Sequence, residues 1–264
     1  MIKPFKGKNP NHEKFFVPRS VQQSIPIQRI YRDGIWMVNG KYSRTWRFAD
    51  INYSVASHED QQEMFLSYCG VLNSLPTGAT AKITINNRRL NGTDFQHSVL
   101  MRLKGDGLDK YRQEYNGILM EKAVESNNLI QDKYITISVE RKNIEEARTF
   151  FKRVDIDLGK SFGKLDSGAK ALDNHERLRI FHDFFRPGEE QDFRIDLSEA
   201  MKRGHSFKDA IAPDGMQFKA DHFEIGGKVG RVLFLREYAS YIKDRMITDL
   251  SDFSRNLMLS IDIL

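Results

Sequence analysis

The sequence predicts an α+β fold: mostly antiparallel sheets with helices packed on one face, in two layered subdomains. Three observations lead there. Hairpin-like pairs turn at Asn39-Gly40 and at Gly226-Gly227. Runs such as Tyr134-Ile-Thr-Ile-Ser-Val-Glu140 alternate with the period of a strand. Helical stripes opened by capping residues fall between the strands in irregular order, unlike the strict β-α alternation of a parallel sheet.

The first segment is residues 1–32. It holds seven cations (Lys3, Lys6, Lys8, Lys14, Arg19, Arg29 and Arg32), one acid (Glu13) and four of the seven prolines. Proline fixes φ and removes a donor, so this stretch reads as an extended basic arm. The other 232 residues carry 34 basic and 35 acidic side chains, so the net charge of +5 resides in the arm. Lys3, Lys6, Lys8, Lys14 and Arg19 are candidate contacts to an anionic surface, either lipid headgroups or nucleic-acid phosphates. The alternative is a solvated or docked tail.

An N-terminal α+β domain is expected over 33–190. Asn39-Gly40 supplies the positive-φ pair of a two-residue hairpin joining Ile35–Val38 to Lys41–Phe48. With Val38 opposite Lys41, one face carries Ile35, Met37, Tyr42, Arg44, Trp46 and Phe48, and reads as the core side. Trp36, Ser43, Thr45 and Arg47 fall on the other face. Trp36 is therefore either covered by a helix or presented as a partner contact.

Ser57 followed by Glu59 and Asp60 marks a helix start, with Phe65, Tyr68, Cys69, Leu72 and Leu75 at helical spacing. Cys69 is the one cysteine, which excludes an intrachain disulfide and reads as a small buried hydrophobe. Ala81–Asn87 reads as a strand. Leu108–Val124 reads as a helix with Tyr111, Tyr115, Ile118 and Leu119 on one stripe. Asn143-Ile-Glu-Glu146 and Asp173-x-x-Glu176 resemble capping boxes opening two more helices. Pro187-Gly188 stops the second.

A hairpin-helix-strand segment is expected over 191–264. Phe218–Ile225 and Gly230–Tyr238 alternate around Gly226-Gly227, a helix covers Thr248–Phe253, and Leu257–Leu264 reads as a strand.

Mean hydropathy is −0.54 and no apolar run approaches the roughly 20 residues of a membrane span. Gly159-Lys160-Ser161 resembles the end of a phosphate-binding loop, but Val154 stands where that loop needs glycine, and a helix precedes it. His175 lacks a second histidine at i+4, and His182 is seven residues on. Phe150-Phe151 and Phe184-Phe185 fit core packing better than base stacking. The residues assign no catalytic, cofactor-binding or metal site.

The order of several strings resembles conjugative type IV secretion ATPases of the TraE/TrbE/CagE-like class, nearest to those of Gram-positive conjugative transposons. These strings are Lys82-Ile-Thr-Ile-Asn-Asn87, Asp132-Lys-Tyr-Ile-Thr-Ile-Ser-Val-Glu140, Asn174-His-Glu-Arg-Leu-Arg-Ile-Phe-His182, Gly230-Arg-Val-Leu-Phe-Leu-Arg-Glu-Tyr-Ala239 and Arg255-Asn-Leu-Met-Leu-Ser-Ile-Asp262. The resemblance covers residue 30 to the end. It implies the non-catalytic N-terminal assembly and docking region of a DNA-transfer motor, peripheral at the cytoplasmic face of the cell membrane. The family's Walker A loop, Walker B acid and arginine finger lie in a downstream domain, so ATP and Mg are expected only there. Implied partners are inner-membrane secretion components, the motor's own ATPase domain, a homo-oligomer and an anionic membrane surface. A second expectation is a nucleic-acid-binding module acting on the transferred DNA, against which the near-neutral body counts.

Overall fold

The computed structural model describes residues 18–89, 99–125, 129–190, 192–237, 239–241, 243–253 and 255–263. Lys3, Lys6, Lys8 and Lys14 lie outside them. The chain enters through α1 (Val21–Ser24), capped by the Ser20 hydroxyl, and β1 (Ile27–Ile30). β2 (Trp36–Val38) and β3 (Lys41–Phe48) form the expected hairpin, with Val38 opposite Lys41. Asn39 and Gly40 have φ of 49° and 76°, the positive pair that a type I′ turn requires.

A 3-10 turn (Tyr53–Val55) leads to α2 (His58–Asn73), whose Asp60 N–H donates to the capping Ser57 hydroxyl. β4 (Ala79–Arg89) and β5 (Leu129–Val139) are long partners paired over their whole length. Between them lies α3 (Asp109–Glu125). α4 (Ile144–Gly163) starts at the Asn143 cap, and β6 (Ala169–Ala171) returns to the sheet beside β3. α5 (Asn174–Phe185) opens on a full capping box of Asp173 and Glu176.

The later part holds α6 (Leu197–Lys202), a 3-10 turn (Phe207–Ala210), and β7 (Met216–Phe218), β8 (Phe223–Ile225) and β9 (Lys228–Gly230). α7 (Asp244–Ser251) and β10 (Leu257–Ile263) follow.

The main sheet runs β1-β2-β3-β5-β4-β10, with β6 on β3. Every pairing is antiparallel. Within it, β3-α2-β4-β5-α4-β6 has strand order β6-β3-β5-β4, the split βαβ arrangement. α2 and α4 cover one face. Tyr42, Trp46, Ile135 and Ile137 pack there against Phe151, Val154 and Leu158 of α4 and Val71 of α2. Arg44, a charge on that face, bonds Asp155 of α4, whose other oxygen accepts from Trp46 Nε1 at 2.7 Å.

α5 lies across the opposite face, so helices cover both sides of the β2–β3 end rather than one. Leu178 packs there with Trp36, Ile25, Ile27 and Ile211.

Four expectations change. Residues 21–30, read as part of the extended arm, form α1 and β1, because Ile25 and Ile27 bury in the core beside Trp36 and β1 pairs with β2. The other three lie in the later part and on the helices. Phe218–Ile225 breaks into two strands, because Lys219 N–H donates to the His222 carbonyl at 2.9 Å and reverses the chain. The second strand of the Gly226-Gly227 pair is Lys228–Gly230, and residues 231–237 continue in neither helix nor strand. On α2, Met64, Tyr68 and Val71 face the core, as does Leu75 just past its end, whereas Phe65 is exposed and Cys69 half-buried.

Candidate functional site

The second face of the sheet shapes the candidate site. Alternation along β3, β5, β4 and β10 puts Ser43, Thr45, Thr136, Ser138, Thr80, Thr84 and Ser260 on this face. α5 crosses above β2 and β3 and presents Ile180, Phe181, Phe184 and Phe185 along one side. The two surfaces enclose a groove of about 570 Å³, with a hydroxyl floor and an aromatic wall.

At the inner end of the groove, Arg177 is 4% exposed. Its Nη1 donates to the Gly34 and Ser43 carbonyls at 2.9 and 3.1 Å, and Nη2 to Ser43 Oγ at 3.2 Å. The guanidinium carbon sits 4.1 Å from the Trp36 ring centroid. Burial, and after it the nearby Arg44, push its pKa below the ordinary guanidinium value. Among the described residues its partners are carbonyls, a hydroxyl and a ring, so dipoles meet the charge there. Nearer the groove mouth, Lys41 pairs with Glu140 and Lys82 with Asp262, each at 3.4 Å.

Two pairs of floor hydroxyls bond one another. Thr45 meets Thr136 at 2.9 Å and Thr84 meets Ser260 at 3.3 Å. A hydroxyl becomes a nucleophile when an imidazole or carboxylate takes its proton. These bonds instead join hydroxyl to hydroxyl.

Trp36 is the correction among the sequence-predicted residues. It is fully buried, with Nε1 donating to Asn174 Oδ1 at 2.8 Å and Phe181 5.5 Å away between ring centroids. α5 covers it, so Trp36 offers no surface to a partner. Arg19 is exposed and its backbone N–H donates to Gln23 Oε1 at 2.9 Å. It is not brought together with any groove residue among the described contacts.

Gly159-Lys160-Ser161 lies within α4, with Gly159 and Lys160 exposed. His175 and His182 both pack on the ring of Phe193, at centroid distances of 4.9 and 5.1 Å. Among the described residues, no three His, Cys, Asp or Glu side chains are placed to hold a metal ion. No helix among them is long and apolar enough to cross a membrane.

Two exposed apolar features lie away from the groove. Leu108, Tyr111, Tyr115 and Ile118 form a seam along α3 and are 46–65% exposed. Asn116 ties α3 to Met101 by two hydrogen bonds, and Arg112 binds Asp106 and Asp109. The other feature is Val232-Leu-Phe-Leu235, 63–85% exposed.

Sequence reasoning missed Arg177. Its signal was a cation in the apolar stripe Leu178, Phe181 and Phe185, at helical spacing from Asn174 and Phe181. Compared with known proteins, this chain matches no family model and no curated protein.

Proposed function

We propose that this chain is the non-catalytic assembly and docking region of a conjugative DNA-transfer ATPase, and that it contacts inner-membrane channel components. The order of the family-like strings along the sequence supports the identity. The observation that carries the docking role is the seam on α3. Leu108, Tyr111, Tyr115 and Ile118 are spaced 3-4-3, the a/d spacing by which one helix receives another. Four such side chains left half-exposed on one helix mark an interaction surface. The occupant is an apolar helix of an inner-membrane component. The near balance of charge along α3 favours such a helix over an anionic lipid surface or DNA. The basic arm, with Lys3, Lys6, Lys8, Lys14 and Arg19, supplies the membrane-surface contact.

Co-expression with inner-membrane components of a conjugative secretion apparatus tests the reading. Co-purification that is lost in Tyr115→Asp/Ile118→Asp supports it. Co-purification that survives the double substitution, or none with the folded wild type, contradicts it. Flotation with phosphatidylglycerol vesicles tests the arm separately. Binding should fall as salt rises and disappear when the five cations are changed to Glu.

A further inference from the structure

We propose that this chain associates with further copies of itself by strand addition, residues 231–236 of one copy pairing antiparallel with the free edge of β10 in the next. The proposal uses only this chain and does not depend on the conjugation reading.

Two unmet halves lie in one molecule. β10 pairs with β4 on one side and closes the sheet, so its outer edge carries backbone groups with no strand partner among the described residues. Such an edge is a template for another strand. Residues 231–236 are the converse. Val232, Leu233, Phe234 and Leu235 are 76%, 85%, 79% and 63% exposed, and no described backbone hydrogen bond involves this segment. Four consecutive apolar residues are the composition of a strand covered on both faces.

Charge and side-chain chemistry select one register. Placing Arg231 opposite Asp262 sets Val232 beside Ile261, Leu233 beside Ser260, Phe234 beside Leu259 and Leu235 beside Met258. The cation then meets the exposed anion at the strand end. Val232 and Phe234 extend the face on which Ile263 joins the core, where Ile261 is 36% exposed. Leu235 and Met258 meet on the groove face. A shift by one residue turns every side chain to the other face and separates the charges. Donor and acceptor are different surfaces, so the contact is head-to-tail, closing as a reciprocal dimer or a larger ring, or running on as a chain.

Sedimentation over a wide concentration range tests this, with Arg231→Asp and Asp262→Lys as charge reversals. Wild type should associate increasingly as concentration rises. Each reversal alone should weaken association about tenfold, and an equal mixture of the two should restore it. A Leu233→Cys copy mixed with a Ser260→Cys copy, both in a Cys69→Ser background, should form the mixed disulfide. This second test stands even if Asp262→Lys fails to fold. A monomer at every concentration, association indifferent to both reversals, or a disulfide formed within one doubly substituted copy would each overturn the proposal.

Discussion

Arg177 lies over Trp36, 4.1 Å from guanidinium carbon to ring centroid, and this contact fixes α5 on the β2–β3 hairpin. The Trp36 indole N–H is held by Asn174, whose own amide donates to the Tyr31 carbonyl at 2.8 Å. One helix turn therefore grips both the hairpin and the strand before it. The groove wall depends on this grip, because Phe181, Phe184 and Phe185 follow on the same helix.

Removing either member should loosen α5. Trp36→Ala should cost about 3–5 kcal/mol, as for other buried aromatics. Arg177→Met should cost about 2–3 kcal/mol, because the Gly34 and Ser43 carbonyls lose their donor. A double-mutant cycle by urea unfolding should return a coupling of about 1–2 kcal/mol. Strict additivity would show that the stacking is incidental.

On the other face Asp155 plays the matching role for Trp46 and Arg44. Asp155→Ala leaves an indole N–H and a mostly buried guanidinium without their acceptor. The expected loss is about 2–3 kcal/mol. Asp155→Asn should recover part of it, since its amide oxygen can still accept from the indole. Equal melting temperatures for the Ala variant and the wild type would count against this account.

Gly34 is held at φ +77°, and a Cβ there would meet the Leu172 carbonyl oxygen at 2.8 Å. Backbone conformation and space both exclude a side chain. Gly34→Ala should destabilise the protein by about 1–3 kcal/mol. Gly40→Ala, also at positive φ but with open space around it, should cost less. Thermal melts of the pair separate the two effects, and the reverse order would contradict them.

The α3 region should respond to acid. Its Arg112 side chain holds Asp106 below the ordinary carboxylate range, and the Lys104 backbone N–H, with Arg112, does the same for Asp109. A depressed carboxylate stabilises the fold fully above its unfolded value and ceases to do so as pH falls through its folded value. Protection of the α3 amides, relative to their intrinsic exchange rates at each pH, should therefore be constant near neutrality and fall below about pH 4. Protection that stays unchanged into strong acid would exclude these contacts as its source.

Local features of this fold were legible in the sequence. Asn39-Gly40 gave the hairpin and its register, and Ser57, Asn143 and Asp173 marked three helix starts, because turns and caps depend on a few adjacent residues. The α+β class followed. The pairing of β10 with β4 joins residues more than 150 apart, and no local signal carries it. Periodicity placed Tyr111, Tyr115 and Ile118 on a helix but gave no sign that the stripe faces outward. Arg177 stayed hidden because a buried cation held by carbonyls looks, in sequence, like any surface arginine. The arm cations Lys3 to Lys14 lie outside the described residues.

The docking role of α3 is most directly tested in cells. A photocrosslinking amino acid at position 115, in the full-length protein and in the presence of the conjugative apparatus, reports what lies against the seam. An adduct with an integral inner-membrane component is expected, lost when Ile118→Asp is added. Irradiation that yields no adduct with any membrane component, while the protein remains folded and abundant, would contradict it.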